Sequence, residues 1–128
     1  MRICPHCEQP LLVLEYHHVE VDWCAACKGL WLDRGELGLL LHGDPVGDPA
    51  LDLQPVQTGR RRCPRCGARM QEARAASAGV MLDRCPYGHG VWFDAGEVQA
   101  LVNAVDPAGF GKISDFCASL FGATLADQ

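Results

Sequence analysis

The chain has 128 residues, 48% of them hydrophobic, and a net charge of −5. That is enough for one ordinary domain or two very small ones. It holds no apolar run of the ~18–20 residues that spans a bilayer, so a membrane protein of the helical kind is set aside.

The opening stretch, MRICPHC, lacks the basic-then-apolar layout of a secretion signal. The expectation is a cytoplasmic protein whose cysteines stay reduced, and eight cysteines in that setting point to metal rather than disulfides. Charge is unevenly spread: residues 1–59 carry −6, residues 60–104 carry +3 and the remainder −2. An acidic whole argues against non-specific binding to nucleic acid, although the second stretch alone does not.

In chain order, the first feature is the pair Cys4 and Cys7, with two residues between them in a tight turn. Leu12, Leu14 and Tyr16, then Val19, Val21 and Trp23, alternate on either side of His17-His18 and predict two short strands. A second pair follows, Cys24 and Cys27, with 16 residues between the pairs. Asp33 and Glu36 have the spacing of a helix N-cap and the third helical residue, so a short helix is expected from Glu36 to about Leu41.

Residues 43–59 contain three prolines and no periodic pattern, and read as a linker. An ordered strap with Leu51, Leu53 and Val56 buried is the alternative. From Arg60 the first unit returns. Cys63 and Cys66 lie 59 residues after Cys4 and Cys7, whereas Cys85, Trp92, Asp94, Gly96 and Glu97 lie 61 after Cys24, Trp31, Asp33, Gly35 and Glu36. A single two-residue insertion reconciles the two offsets, at little cost in closure entropy. The second unit ends in a helix expected from Glu97 to about Val105. Beyond it, Ile113, Phe116, Leu120 and Phe121 fall on one face of a predicted amphipathic tail helix. That face suits docking onto the chain's own modules, a partner, or a second copy.

The paired cysteines carry the chemistry. Two Cys-x-x-Cys pairs at this separation form a tetrahedral zinc shell, and four thiolates leave no open position for water or substrate. Cys4, Cys7, Cys24 and Cys27 are the expected first site. Cys63, Cys66 and Cys85 form most of a second, which needs a fourth donor because Gly88 stands where Cys27 stood. His89, one residue later, supplies it: an imidazole reaches farther from the backbone than a thiol, and Gly88 and Gly90 allow the turn to be reshaped. A metal-free degenerate repeat is the competing reading, and iron in the second site a minor one. Units of about 40 residues rarely bury enough apolar area to fold unaided, whereas a structural zinc contributes roughly 10–16 kcal/mol in peptide systems. Trp31 and Trp92 are expected to pack over the metal knuckles.

These residues resemble the transcription-factor zinc-finger family, the zinc ribbons of the TFIIB type. The first copy carries the pattern as Cys4, Cys7, Cys24, Cys27, Gly29, Trp31, Asp33, Gly35 and Glu36. The second carries it as Cys63, Cys66, Cys85, Gly90, Trp92, Asp94, Gly96 and Glu97, departing at Gly88 and His89. The resemblance implies a zinc ribbon followed by a short helix, and transfers a fold more safely than a function.

The expected architecture is thus a small metal-stabilised α+β protein: ribbon and helix over 1–42, linker over 43–59, ribbon and helix over 60–104, and an amphipathic tail helix over 105–128. The expected function is a protein-interaction module or adaptor with two structural zinc ions per chain, no catalysis and no small-molecule substrate. Its partner would be another protein or a second copy. The alternative is a nucleic-acid-associated transcriptional regulator touching phosphate, or an acidic partner, through Arg60, Arg61, Arg62 and Arg65.

Overall fold

The computed structural model describes residues 2–16, 19–36, 53–75, 79–97 and 100. It contains seven strands: β1 (Leu12–Tyr16), β2 (Val19–Trp23), β3 (Leu30–Asp33), β4 (Leu53–Arg62), β5 (Arg69–Ala75), β6 (Val80–Arg84) and β7 (Gly90–Phe93). All join in one sheet of order β1-β2-β3-β7-β6-β5-β4, and every neighbouring pair is antiparallel.

This overturns the expected α+β architecture of separate ribbons with helices. Helix among the described residues is confined to Glu36, residues 95–97 and residue 100. The remainder of the two expected helices, and the tail with Ile113, Phe116, Leu120 and Phe121, lie outside the described residues. The physical reason lies in Gly29–Asp33 and its copy Gly90–Asp94. Each is a third strand rather than a lid over its own metal, and the two third strands pair with each other. A strand buried on both faces shows no alternation, so the period-two signal that exposed the first hairpin is missing here.

The centre of the sheet is the seam between β3 and β7. Leu30 pairs with Phe93, Trp31 with Trp92, Leu32 with Val91 and Asp33 with Gly90. The Leu30–Phe93 and Leu32–Val91 pairs are therefore related by a pseudo-two-fold axis at the tryptophan pair, the one pair in which equivalent residues meet. Neither tryptophan has measurable exposure.

Paired residues share a face of the sheet. One face carries Trp31, Trp92, Asp22 and Asp83, and the other Val21, Leu30, Leu32, Leu82, Val91 and Phe93. On the tryptophan side the core cluster contains Cys4, Cys24, Cys63 and Cys85 with Leu11, Met70 and both tryptophans. The two metal knuckle regions thus share one core.

Residues 53–59, read from sequence as the end of a linker, run in β4 along the outside of β5. Pro55 is compatible with that place because β4 is an edge strand. Val56 is exposed and Leu53 half-buried. The counterpart of the Arg62–Arg69 pairing is the isolated bridge between Ile3 and Pro10. The two copies thus begin in the same register. The outer edge of β5 is covered by β4, whereas β1 is the opposite edge strand of the sheet.

Candidate metal centres

Four knuckles position the donors, and three are built alike. In each, the amide of the residue after the second cysteine donates to the carbonyl of the first: Glu8 to Cys4 at 2.9 Å, Lys28 to Cys24 at 2.8 Å and Gly67 to Cys63 at 2.8 Å. The donor residue takes a left-handed φ of 60°, 65° and 78° respectively. The turn also aims backbone N–H groups at sulfur. Cys7 and His6 donate to Cys4 Sγ at 3.2 and 3.4 Å, and Arg65 donates to Cys63 Sγ at 3.4 Å.

The fourth knuckle is shorter by one residue. Gly88 N–H donates to the Cys85 carbonyl at 3.0 Å, and Gly88 itself, at φ 77°, is the left-handed residue. Closing one residue early leaves no donor at position 88 and puts His89 where Lys28 stands in the first copy. Beyond the turn the frames coincide again: Cys24 N–H bonds to the Gly29 carbonyl, and Cys85 N–H to that of Gly90. The cysteine-to-histidine exchange and the shortened turn are one change.

The donors converge in two sets. Cys4, Cys7, Cys24 and Cys27 form the first, and Cys63, Cys66, Cys85 and His89 the second, with all ligand atoms of a set within 4.8 Å of one another. Cys4 and Cys27 sulfurs are 3.7 Å apart, and those of Cys66 and Cys85 3.6 Å. A tetrahedron with Zn–S bonds of about 2.3 Å has an edge of about 3.8 Å, so the spacing fits zinc. His89 Nδ1 lies 3.4 Å from Cys85 Sγ, which places the imidazole within the second set.

Without a cation these sets are electrostatically frustrated. Burial first, then the neighbouring thiols, push Cys4 and Cys63 up to about 12 against their backbone donors. At Cys24, burial is overcome by backbone N–H groups of Cys27 and Ala26, which lower it to about 7. Backbone donation from Ala68, with help from His89, lowers Cys66 to about 7. A divalent cation supplies the charge that lets all the thiolates coexist. The two sets fit two structural zinc ions, each with a full complement of four protein donors.

Around each metal knuckle runs a second repeated constellation, only half of which was read from sequence. Asp33 N–H donates to Glu36 Oε2 at 3.1 Å, and Asp94 N–H to Glu97 Oε1 at 2.8 Å, as the capping spacing predicts. Each aspartate carboxylate in turn accepts from its tryptophan Nε1, Trp31 at 3.0 Å and Trp92 at 3.2 Å. Arg2, Asp22 and Asp83 were not singled out from sequence, and Arg61 was expected to touch phosphate or an acidic partner. Arg2 bridges Asp22 at 2.6 Å and Asp33 at 2.7 Å, while Arg61 bridges Asp83 at 3.1 Å and Asp94 at 2.8 Å. Arg2 and Arg61 stand two residues before the first cysteine of each copy, and Asp22 and Asp83 two before the third. Aligning the repeat beyond its cysteines would have found them.

Burial outweighs the arginine at Asp22 and Asp83 and raises both. At Asp33, burial is overcome by Arg2 and Trp31, which hold it low. Burial, then the Asp33 charge, pushes Glu36 up to about 8, and burial raises Glu97 to about 7.

Of the four arginines assigned to phosphate, Arg61 is thus engaged by two carboxylates. Arg62 donates to the Gly67 carbonyl at 3.3 Å, and Arg65 lies 3.8 Å from Asp33 of the first copy. Arg60 is exposed.

Among the described residues no helix is long and apolar enough to cross a membrane. No curated protein and no solved structure matches the chain. The family model for the transcription factor zinc-finger matches residues 3–42 and again 62–104, spanning both metal sets and both tryptophan strands. Two knuckles per copy, two zinc sites and two matches over most of the length agree: the chain belongs to the transcription factor zinc-finger family, in tandem duplicate.

Proposed function

We propose that this zinc-ribbon protein is a protein-interaction module that works in the cytoplasm without catalysis, its metals serving only to stiffen a sheet. The observation that carries the reading is the outer edge of β1. Leu12 is 49% exposed, Val13 64% and the adjacent Ile3 41%, on an edge strand whose counterpart in the second copy lies under β4. The second copy has Gln71 and Glu72 at the positions of Leu12 and Val13. Among the described residues no further strand pairs with this edge, and an apolar edge is a template for an added strand.

The neighbouring cleft, about 470 Å³, is lined by Arg2, Leu11, Val13, Glu20, Asp22, Asp33 and Glu36. The equivalent cleft of the second copy is about 300 Å³, and there β4 contributes Arg60 beside Glu72, Asp83, Asp94 and Glu97. The partner that suits β1 is therefore an extended segment running antiparallel to it. Apolar residues would lie against Leu12 and Val13, with a basic side chain in the acidic cleft. Engagement of Arg61 by Asp83 and Asp94 favours this reading over phosphate contact.

Affinity capture with intact protein tests it. Val13→Lys should abolish the captured complex, and Arg60→Ala with Arg62→Ala should leave it intact. Binding to duplex DNA that weakens steeply with salt and is lost in the double arginine variant would replace this reading with the nucleic-acid one. Loss on Phe116→Asp or Phe121→Asp, with Val13→Lys silent, would move the interface to the tail.

A further inference from the structure

The seam between β3 and β7 has the properties of a recognition surface. A Cβ built on Gly29 would stand 2.2 Å from Trp92 Cζ2, and one on Gly90 would stand 2.7 Å from Trp31 Cζ2. Each ribbon thus offers a glycine, just past its last metal ligand, as the seat for the other ribbon's tryptophan. Asp33 and Asp94 fix the rings by accepting their Nε1–H groups. Four residue pairs complete the ladder. Each half of this interface lies within one ribbon, and both halves are the same pattern.

We propose that the seam recognises any ribbon bearing this pattern, and that the chain can assemble with a second copy of itself by exchanging ribbons. The first ribbon of one chain then pairs with the second ribbon of its neighbour, and two identical seams form in the dimer. What keeps pairing within one chain is the reach of residues 37–52. By register, Leu53 lies four strands from β3 and five residues along from Asp33. At about 4.8 Å per strand and ~3.4 Å per residue the gap is about 26 Å. Sixteen residues cross it easily, and the intact linker holds the ribbons at an effective concentration in the millimolar range. With residues 38–52 removed, the five links left between Asp33 and Leu53 span at most about 18 Å, too short for pairing in cis.

The experiment is that deletion in the otherwise full chain, read by analytical ultracentrifugation and native mass spectrometry. The expected result is a twofold mass with four zinc ions per dimer. Adding Gly29→Ala and Gly90→Ala should abolish the dimer, while Val13→Lys, which alters only the β1 edge of the proposed function, should leave it. A folded monomer with two zinc ions overturns the proposal. So does a dimer lost on Val13→Lys but kept in the glycine variants. Should the shortened chain not fold, the intact protein gives the answer. Two isotopic forms, stripped of metal and reloaded together at several millimolar, should yield a mixed dimer; its absence overturns the proposal.

Discussion

Replacing Gly90 by alanine adds one methyl group at the seam, and the structure says what that methyl meets. Its carbon would lie 2.2 Å from the Leu32 carbonyl oxygen, 2.7 Å from Trp31 Cζ2 and 3.0 Å from Asp33 Cα. Ordinary C···O contacts are about 3.3 Å or longer, so β3 and β7 must part by about 1 Å. Two of the three neighbours are backbone, and the third belongs to a fully buried ring, so none can yield by a rotamer change. Overpacking costs typically 1–3 kcal/mol, and this site belongs at the top of that range, about 3 kcal/mol. For a chain of this size that lowers the melting temperature by roughly 10 °C. Gly96→Ala is the matched control. Nothing lies within 4 Å of its added carbon, and the residue is helical, so alanine is expected to be neutral or to stabilise by up to about 1 kcal/mol. Thermal unfolding in excess zinc, followed by tryptophan fluorescence, measures both. Equal melting temperatures for the two variants would refute the seam as described.

Three further outcomes follow from the geometry. His89→Ala should weaken the second zinc by more than about 100-fold in competitive chelation, since even outer-sphere partners of a metal ligand are worth 10–100-fold; unchanged affinity would remove His89 from the shell. Cys85→Ser should loosen the first zinc as well as the second, because Cys4, Cys24, Cys63 and Cys85 share one core, and selective loss of the second would show independent modules. Glu36→Gln addresses pH. The folded protein raises Glu36 from an ordinary 4.5 to about 8, so folding favours its protonated form. That contribution is complete below about 4.5 and is lost as pH rises through about 8. In urea midpoints at fixed free zinc, the glutamine variant should therefore gain stability relative to the native chain as pH rises from 6 to 9, and a constant difference would refute the shift.

The donors were legible because metal chemistry fixes residue type and spacing together. Even His89 could be found by requiring four donors. What sequence left out was the reason for the exchange, an early-closing turn at Gly88. The Asp33–Glu36 and Asp94–Glu97 contacts were legible for the same kind of reason, a fixed local distance. The sheet was not. Gly29–Asp33 is too short and too thoroughly buried to display alternation, and its pairing partner lies about sixty residues away. The tryptophans were expected over the metal knuckles, and the structure adds that each sits against the glycine of the opposite ribbon. Arg2 and Asp22 escaped notice because a lone surface-type charge carries no signal until its copy, Arg61 or Asp83, is set beside it.

Everything here depends on two zinc ions organising one sheet. Native mass spectrometry of protein purified without chelator, paired with circular dichroism before and after metal removal, tests that dependence most directly. The expected result is two zinc ions per folded chain and loss of the sheet signal when they are stripped. A chain that keeps its sheet and carries no metal would contradict it.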